Sequence, residues 1–158
     1  MELKEGLCSS PGVSPEIPIP GRIIAVDPGT KRIGLAISDP TQTLAQPLAT
    51  LSRREGQRFP MQKLKSFLDQ HLPVGVLVGL PIAPDGSEDD RAIAARELGA
   101  AINAKTELPV SFWDERMTTA RVLSAVKDLN GKMRGRKAEV DSLAATVLLQ
   151  AFLDSRRR

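Results

Sequence analysis

The sequence has very little of several residue types that common protein functions need. Its 158 residues include one cysteine, Cys8, and one histidine, His71. A single cysteine excludes an internal disulfide, and the lack of a Cys/His cluster excludes a zinc site of the usual spacing. Aromatic residues make up 3% of the chain, which is too few for a platform on which nucleic-acid bases stack.

Long hydrophobic runs are also missing. No apolar stretch approaches the roughly 20 residues of a membrane helix, and no basic start precedes a signal-peptide-like segment. We therefore expect a cytoplasmic protein, and the length predicts one domain that buries its own core. Residues 1–20 contain four of the 12 prolines, which predicts a flexible N-terminal extension before a folded domain at 21–158.

Positive charge is unevenly distributed along the chain. The net charge is +3, and one basic cluster is the C-terminal Arg156–Arg158. The other lies in a loop without acids and comprises Lys132, Arg134, Arg136 and Lys137. Such clusters suit the phosphate backbone of a nucleic acid. The alternative is a solvated loop and a charged tail.

The chain is built around a predicted hairpin. Arg22–Asp27 and Ile33–Ser38 are apolar runs of strand length, and an Asp-Pro-Gly-Thr turn at 27–30 joins them. Asp27 therefore stands at the end of the first strand. Asp-Pro-Gly is also ordinary turn chemistry, in which the carboxylate accepts hydrogen bonds from the amides of the turn. Its position favours a functional role, because functional groups of open α/β sheets collect at strand ends.

Beyond the hairpin, the hydrophobic periodicity alternates between helices and strands. This order predicts an α/β fold with a mixed sheet covered by helices. The predicted elements are a strand at Pro47–Leu51, a helix at about Gln57–His71, a strand at Val74–Gly79, a helix capped by Ser87, a strand at Pro109–Trp113, a helix from Thr118 or Thr119 to Asn130-Gly131, and a last helix at about Glu139–Asp154.

A second acidic position follows the strand that begins at Pro109. Asp114 and Glu115 come directly after Trp113, so either carboxylate can lie at the end of that strand. The alternatives are that they cap a helix or pair with Arg116.

A third acid heads an apolar stripe on the last predicted helix. Steps of three and four residues return to the same side of a helix, so Asp141 shares a face with four apolar residues. A carboxylate on a face that packs against a sheet is costly unless it is paired or bound to a metal ion. The alternative is a first-turn acid stabilised by the helix dipole. The apolar members of the stripe are Ala144, Ala145, Leu148 and Phe152.

Three acids at one edge of a sheet indicate a metal site. Converging carboxylates suit Mg²⁺ or Mn²⁺, which prefer oxygen ligands. Two such ions about 4 Å apart can activate a water and stabilise the leaving oxygen in phosphodiester cleavage. The basic loop before Asp141 could then hold the substrate backbone.

Four stretches along the chain form a recognisable set: Asp27-Pro-Gly-Thr-Lys-Arg-Ile-Gly-Leu-Ala-Ile-Ser-Asp39, Gly79-Leu-Pro followed after three residues by Asp85-Gly-Ser87, Trp113-Asp-Glu-Arg-Met-Thr-Thr119, and Asp141-Ser-Leu-Ala-Ala145. In this order and spacing they resemble the YqgF family, relatives of the RuvC-type Holliday junction resolvases. The resemblance covers about residues 22–155 and leaves residues 1–20 outside.

The resemblance implies a ribonuclease H-like fold with a mixed five-stranded sheet and helices on both faces. It implies a metal-dependent nuclease whose catalytic and metal-binding acids are Asp27, Glu115 and Asp141, with Asp114 as the alternative middle acid. In RuvC-type relatives the second acid belongs to the fourth strand, which here ends in Gly79-Leu80-Pro81. The residues assigned to the substrate are Lys31, Arg32, Arg116, Lys132, Arg134, Arg136 and Lys137.

Three functions follow as hypotheses. The first is a Mg²⁺- or Mn²⁺-dependent endonuclease that matures the 5′ end of 16S ribosomal RNA precursors during ribosome biogenesis. The second keeps the chemistry but acts on branched DNA, as a Holliday junction resolvase, which usually needs paired active sites. The third is a nucleic-acid-binding factor without catalysis, acting in transcription or ribosome assembly. The chain could be a monomer or a homodimer.

Overall fold

A computed structural model describes residues 7–8, 16–29, 31–53, 58–118 and 137–157. Within these residues the chain alternates between strands and helices, as its periodicity predicts. In chain order the elements are β1 (Leu7–Cys8), β2 (Ile23–Pro28), β3 (Arg32–Ser38), β4 (Ala45–Ser52), α1 (Met61–His71), β5 (Gly75–Leu80), α2 (Asp90–Thr106), β6 (Val110–Asp114), a 3₁₀ turn (Glu115–Met117) and α3 (Lys137–Arg156).

The strands form one mixed sheet in the order β1-β6-β5-β2-β3-β4. The hairpin pairs β2 with β3, and β4 continues the antiparallel half. On the other side, β5 and β6 run parallel to β2, since a helix connects each strand to the next. The predicted five-stranded mixed sheet is confirmed. The short β1 adds a sixth, antiparallel strand at the β6 edge.

Helices cover both faces of the sheet, so each strand buries side chains on both sides. Ile24 and Val26 of β2 belong to the core under α1 and α2. Ile23 and Ala25 belong to the core under α3. Because side chains alternate along a strand, each face of β2 contributes to a different core. This explains why the strands read as continuous apolar runs, and all six residues of β5 are buried.

Two parts of the N-terminal extension lie against the domain. Ile17 is 2% exposed and packs in the core under α3. Its carbonyl accepts a 2.6 Å hydrogen bond from Arg156 Nη2, and the Pro18 carbonyl accepts one of 2.7 Å from Gln42 Nε2. Contacts with the core therefore begin before residue 21, while the division of the chain at residue 20 stays a prediction.

The predicted serine cap of the second helix is wrong. Asp89 caps α2 by accepting from the backbone N–H groups of Arg91 and Ala92, at 3.0 and 3.2 Å. Ser87 instead donates its N–H and hydroxyl to Asp85 Oδ1, at 2.9 and 2.6 Å. A short polar side chain can cap a helix or close a turn, and the local loop decides which.

The remaining predicted boundaries agree with the structure to within a few residues. The first helix begins at Met61, four residues after the predicted Gln57. The helix predicted from Thr118 or Thr119 to Gly131 falls outside the described residues except for Thr118 itself. In the part of the chain that is described, no helix has the length and hydropathy to span a bilayer.

Candidate active site

Asp27 is held near the end of β2, in the centre of the sheet. It pairs in register with Gly34 of β3. Ile23 and Ala25 face α3, so the alternation of side chains places Asp27 on the same face. Its side chain is partly exposed, as a group that meets a substrate must be.

Gly34 brings α3 onto this position. A methyl group built on Gly34 would lie 2.1 Å from the backbone carbonyl oxygen of Asp141. Only a residue without a Cβ therefore allows the helix to approach β3 so closely. Because Gly34 pairs with Asp27, the same glycine fixes Asp141 beside the hairpin. The stripe that follows Asp141 packs as predicted, with Ala144, Ala145, Leu148 and Phe152 all buried in the core under α3.

Glu115 reaches the same face from beyond β6, which β5 separates from β2. It begins the 3₁₀ turn after β6, and its Oε1 lies 3.4 Å from the point where a Cβ on Gly79 would stand. That point is 3.7 Å from the carbonyl oxygen of Val26 and 3.0 Å from Leu148 Cδ1. The glycine in β5 thus leaves room for the Glu115 carboxylate between β2 and α3.

Asp114 has a different environment. Trp113 packs in the core under α3, so the alternation directs Asp114 to the opposite face. The Asp114 side chain is 8% exposed and pairs with the Arg116 guanidinium at 2.8 Å. It also accepts the backbone N–H of Arg116 at 2.9 Å, which caps the 3₁₀ turn. This geometry favours Glu115 over Asp114 as the middle acid, because only Glu115 shares a face with Asp27.

A second contact fixes the turn that carries Glu115. Trp113 Nε1 donates a 2.9 Å hydrogen bond to the Thr118 hydroxyl, and both residues are buried. The turn is therefore held before and after Glu115, by Asp114 at its start and Thr118 at its end.

Asp141 has a partner that the sequence did not reveal. Its Oδ2 lies 2.6 Å from Arg32 Nε, and the two side chains are 18% and 32% exposed. Arg32 was predicted to contact substrate. The pairing follows from strand alternation, because Arg32 and Gly34 point to the same side of β3 and Asp141 lies over Gly34.

The three acids have the donor atoms that a divalent cation needs, but they do not form a cluster of metal ligands in this structure. Carboxylate oxygens are the donors that Mg²⁺ and Mn²⁺ prefer, and Asp27 and Glu115 share the α3 face of the sheet. Asp141 lies on α3 over Gly34, and its carboxylate accepts a hydrogen bond from Arg32. Among the described residues, no three or more Asp, Glu, His or Cys side chains form a ready group of metal ligands. The roles assigned to Asp27, Glu115 and Asp141 therefore stay predictions.

The predicted substrate-binding residues divide into three groups. Lys31 is exposed beside the hairpin turn. Arg32 and Arg116 each pair with an aspartate, Asp141 and Asp114. The basic loop lies outside the described residues, as do Lys132, Arg134 and Arg136, and of Lys137 only the backbone is described, at the start of α3.

A cleft of about 700 Å³ opens on the other face of the sheet. Pro28 and Gly29 of the hairpin turn form one wall, and residues from the first turn of α1 and the exposed side of α2 form the others. Arg53 and Arg91 contribute positive charge, and Glu97 contributes a negative one. The cleft meets the acid site only at the hairpin turn.

The sheet order and the helices on its two faces define a ribonuclease H-like α/β protein. A solved structure, T. thermophilus RuvC in complex with Holliday junction substrate, has the same fold. It superimposes with a TM-score of 0.54, covers 86% of this chain and 95% of its own, and is 16% identical in sequence.

The chain belongs to the RuvX family, described as Holliday junction resolvase, whose model matches residues 21–155. It is accordingly a nuclease and a hydrolase. Two relatives are provisionally named pre-16S rRNA nuclease. The one from Lachnospira eligens is 33% identical over 87% of this chain and 99% of its own length. The one from Koribacter versatilis is 39% identical over 86% of this chain and 88% of its own.

Proposed function

We propose that the protein is a Mg²⁺- or Mn²⁺-dependent endonuclease that processes the 5′ end of pre-16S rRNA in the cytoplasm. The observation that carries this proposal is that Asp27, Glu115 and Asp141 lie on the α3 side of the sheet and are supplied by three different elements. They come from β2, from the turn after β6 and from α3. Core packing alone does not require acids at these positions, since burying a charged group costs free energy that an apolar side chain would not cost.

Each acid has a rigid support, which a catalytic carboxylate needs. Asp27 is fixed by the ladder that pairs it with Gly34. Glu115 is fixed by the hydrogen bonds at both ends of its turn. When bound, divalent cations supply an activated water and neutralise charge on the leaving oxygen. The protein's part is to hold its carboxylates where those ions can bind.

The basic residues provide the second half of the site. Lys31 is exposed after the hairpin turn that follows Asp27, and the loop of Lys132, Arg134, Arg136 and Lys137 precedes Asp141 in the sequence. Contacts to phosphate position a nucleic acid without reading its sequence. We therefore assign these residues to the RNA backbone on either side of the scissile bond.

The decisive experiment is cleavage of a pre-16S RNA fragment in the presence of Mg²⁺. Asp27→Asn and Asp141→Asn remove a negative charge from the site with little change in volume, and each should abolish cutting. Asp69→Asn is the matched control, because Asp69 is an exposed acid on α1 whose partner is Lys65, four residues away. If both site variants cut like the wild type, the site is wrong.

Branched DNA is the second candidate substrate. The family's description and the structural similarity to a resolvase bound to a Holliday junction favour it. Competition between junction DNA and the pre-16S fragment, at one fixed salt concentration, separates the two, because affinity for nucleic acid falls steeply with salt. A strictly monomeric protein would count against a resolvase. Binding to both that survives Asp27→Asn, without any cutting by the wild type, would indicate a non-catalytic factor.

A further inference from the structure

The Arg32–Asp141 pair joins residues 109 positions apart, across the centre of the candidate site. Among the described residues, the bond from Arg32 Nε is the one hydrogen bond that this guanidinium donates. An arginine carries five N–H donors in a planar fork that suits phosphate oxygens. Most of its donors are therefore left for another ligand.

Stability does not account for this pair. Both side chains are partly exposed, and water and salt screen an ion pair in that setting. The close packing of α3 on β3 depends instead on Gly34 and on the buried stripe. The contacts that hold α3 on β3 are therefore separate from this pair.

The pair also conflicts with metal binding. A carboxylate ligand lies about 2.1 Å from Mg²⁺, and the bond from Arg32 Nε at 2.6 Å engages Asp141 Oδ2, so the pair leaves fewer acceptor sites on this carboxylate for a cation. The guanidinium further places a positive charge where a divalent cation would bind. The two partners of Asp141 are therefore alternatives.

We propose that Arg32 is a positioning residue that couples metal binding to nucleic-acid binding by exchanging its partner. In the free protein Arg32 holds Asp141. A substrate phosphate takes the guanidinium, and Asp141 is released to become a metal ligand. Each ligand then promotes binding of the other, because coupling between two sites is reciprocal. This inference rests on the proposed function, since it needs a cation at Asp141.

The first test measures Mn²⁺ binding to the free, full-length protein by titration calorimetry. Arg32→Gln should tighten Mn²⁺ binding at least about fivefold, the lower end of typical coupling between sites. Arg32→Lys keeps the charge and should stay near the wild type. Arg22→Gln is the control, because it removes the same charge at the opposite end of β2, where Arg22 Nη1 donates to the Ser38 carbonyl.

The second test measures RNA binding in EDTA, where cutting cannot interfere. The probe is a labelled single-stranded oligonucleotide that spans the 5′ end of 16S rRNA and its precursor segment. Asp141→Asn frees Arg32 and should tighten binding about fivefold or more. In an Arg32→Gln background the same change should tighten binding no more than the Asp69→Asn control does. This double-variant cycle separates the exchange from a general effect of charge.

The outcomes distinguish this inference from the proposed function. If Arg32→Gln binds Mn²⁺ no more tightly than the wild type, the exchange is wrong. Should Asp27→Asn lose Mn²⁺ binding in the same experiment, the metal site stands without the exchange. If neither Asp27→Asn nor Asp141→Asn changes Mn²⁺ binding, the proposed function fails as well.

Discussion

The two faces of the sheet bury apolar side chains in similar ways but differ where the hairpin turns. On the α3 face, glycines replace side chains at Gly34 and Gly79, and acids lie in the space they leave. On the α1 and α2 face, the core stays apolar up to the cleft, whose charged residues carry mixed signs. Close packing therefore places acids on one face, whereas the other face has an apolar core beside a cleft of mixed charge.

The helices explain this difference. The backbone of α3 contacts the backbone of β3 at Gly34, so this contact fixes the distance between the start of the helix and the sheet. α2 meets the sheet through side chains, and Gly99 lies against the ring of Phe112. The Phe112 ring can move by rotation about its own side-chain bonds, while a backbone carbonyl in a helix moves only with the helix.

Glu115 and Asp114 are adjacent acids on opposite faces of the sheet, so substituting each in turn tests the difference between the faces. The loss of cutting expected for Glu115 is the largest effect predicted here. Glu115→Gln should lower the turnover of pre-16S RNA about 100-fold or more, as loss of one group that stabilises a transition state commonly does. Asp114→Asn should instead lower the free energy of unfolding by about 1–3 kcal/mol, because it weakens hydrogen bonds to a charged group. Cutting rates per folded molecule and urea unfolding measure the two effects.

The opposite result would change the assignment of the middle acid. If Asp114→Asn abolishes cutting while Glu115→Gln cuts normally, Asp114 is the middle acid. The turn after β6 would then have to reverse its direction when substrate binds.

Gly34 and Gly99 are close-packed glycines on opposite faces of the sheet, and their alanine variants make the second comparison. Gly34→Ala forces its methyl group against the Asp141 carbonyl, and overpacking of this kind costs about 1–3 kcal/mol. Because the contact is with α3 itself, Asp141 must move and cutting should fall together with stability. Gly99→Ala places its methyl group 2.4 Å from Phe112 Cζ on the other face, so stability should fall while cutting per folded molecule is kept.

Thermal unfolding and single-turnover cutting separate these outcomes. Equal losses of activity in both glycine variants would mean that the close approach at Gly34 has no special role. Retained cutting in Gly34→Ala would mean that the position of α3 is set elsewhere.

Much of this site could be predicted from the sequence because it depends on local patterns. The hairpin, the strand end at Asp27 and the apolar stripe after Asp141 follow from periods of two and of three to four residues. The choice between Asp114 and Glu115 could not be made, because it depends on which core receives Trp113. That is a tertiary fact, as are the burial of Ile17 and the pairing of Arg32 with Asp141.

The position of Asp141 in α3 also weakens the alternative that it is a first-turn acid stabilised by the helix dipole. The last helix begins at Lys137, two residues before the predicted Glu139. Asp141 is therefore the fifth residue of α3, beyond the turn in which the helix dipole is felt most. Its position favours the paired or metal-bound alternative over the dipole.

Asp39 directly follows β3, and its carboxylate differs from those of the candidate site because it accepts hydrogen bonds from the neighbouring loop. Its carboxylate accepts hydrogen bonds from the Thr41 hydroxyl and from the backbone N–H groups of Thr43 and Leu44, both at 2.8 Å. The Thr41 hydroxyl is the largest cause, followed by the Leu44 amide, of a pKa well below the ordinary value of an aspartate. Here a carboxylate organises a loop, whereas Asp141 over Gly34 and Glu115 beside Gly79 are the acids that we propose as metal ligands.

The expected effect of Asp39 is the smallest, and it disappears in acid. Since its pKa is lower in the folded state, its contribution is complete above the unfolded value of about 3.9 and is lost as the pH falls below that value. Asp39→Asn should therefore lower the urea midpoint at pH 7, and the gap to the wild type should close as the pH falls below about 4. Thr41→Val removes the largest cause and should reproduce part of the change, with cutting at pH 7 unaffected in both variants. A gap that stays constant down to pH 2.5 would show that the carboxylate charge does not hold this loop.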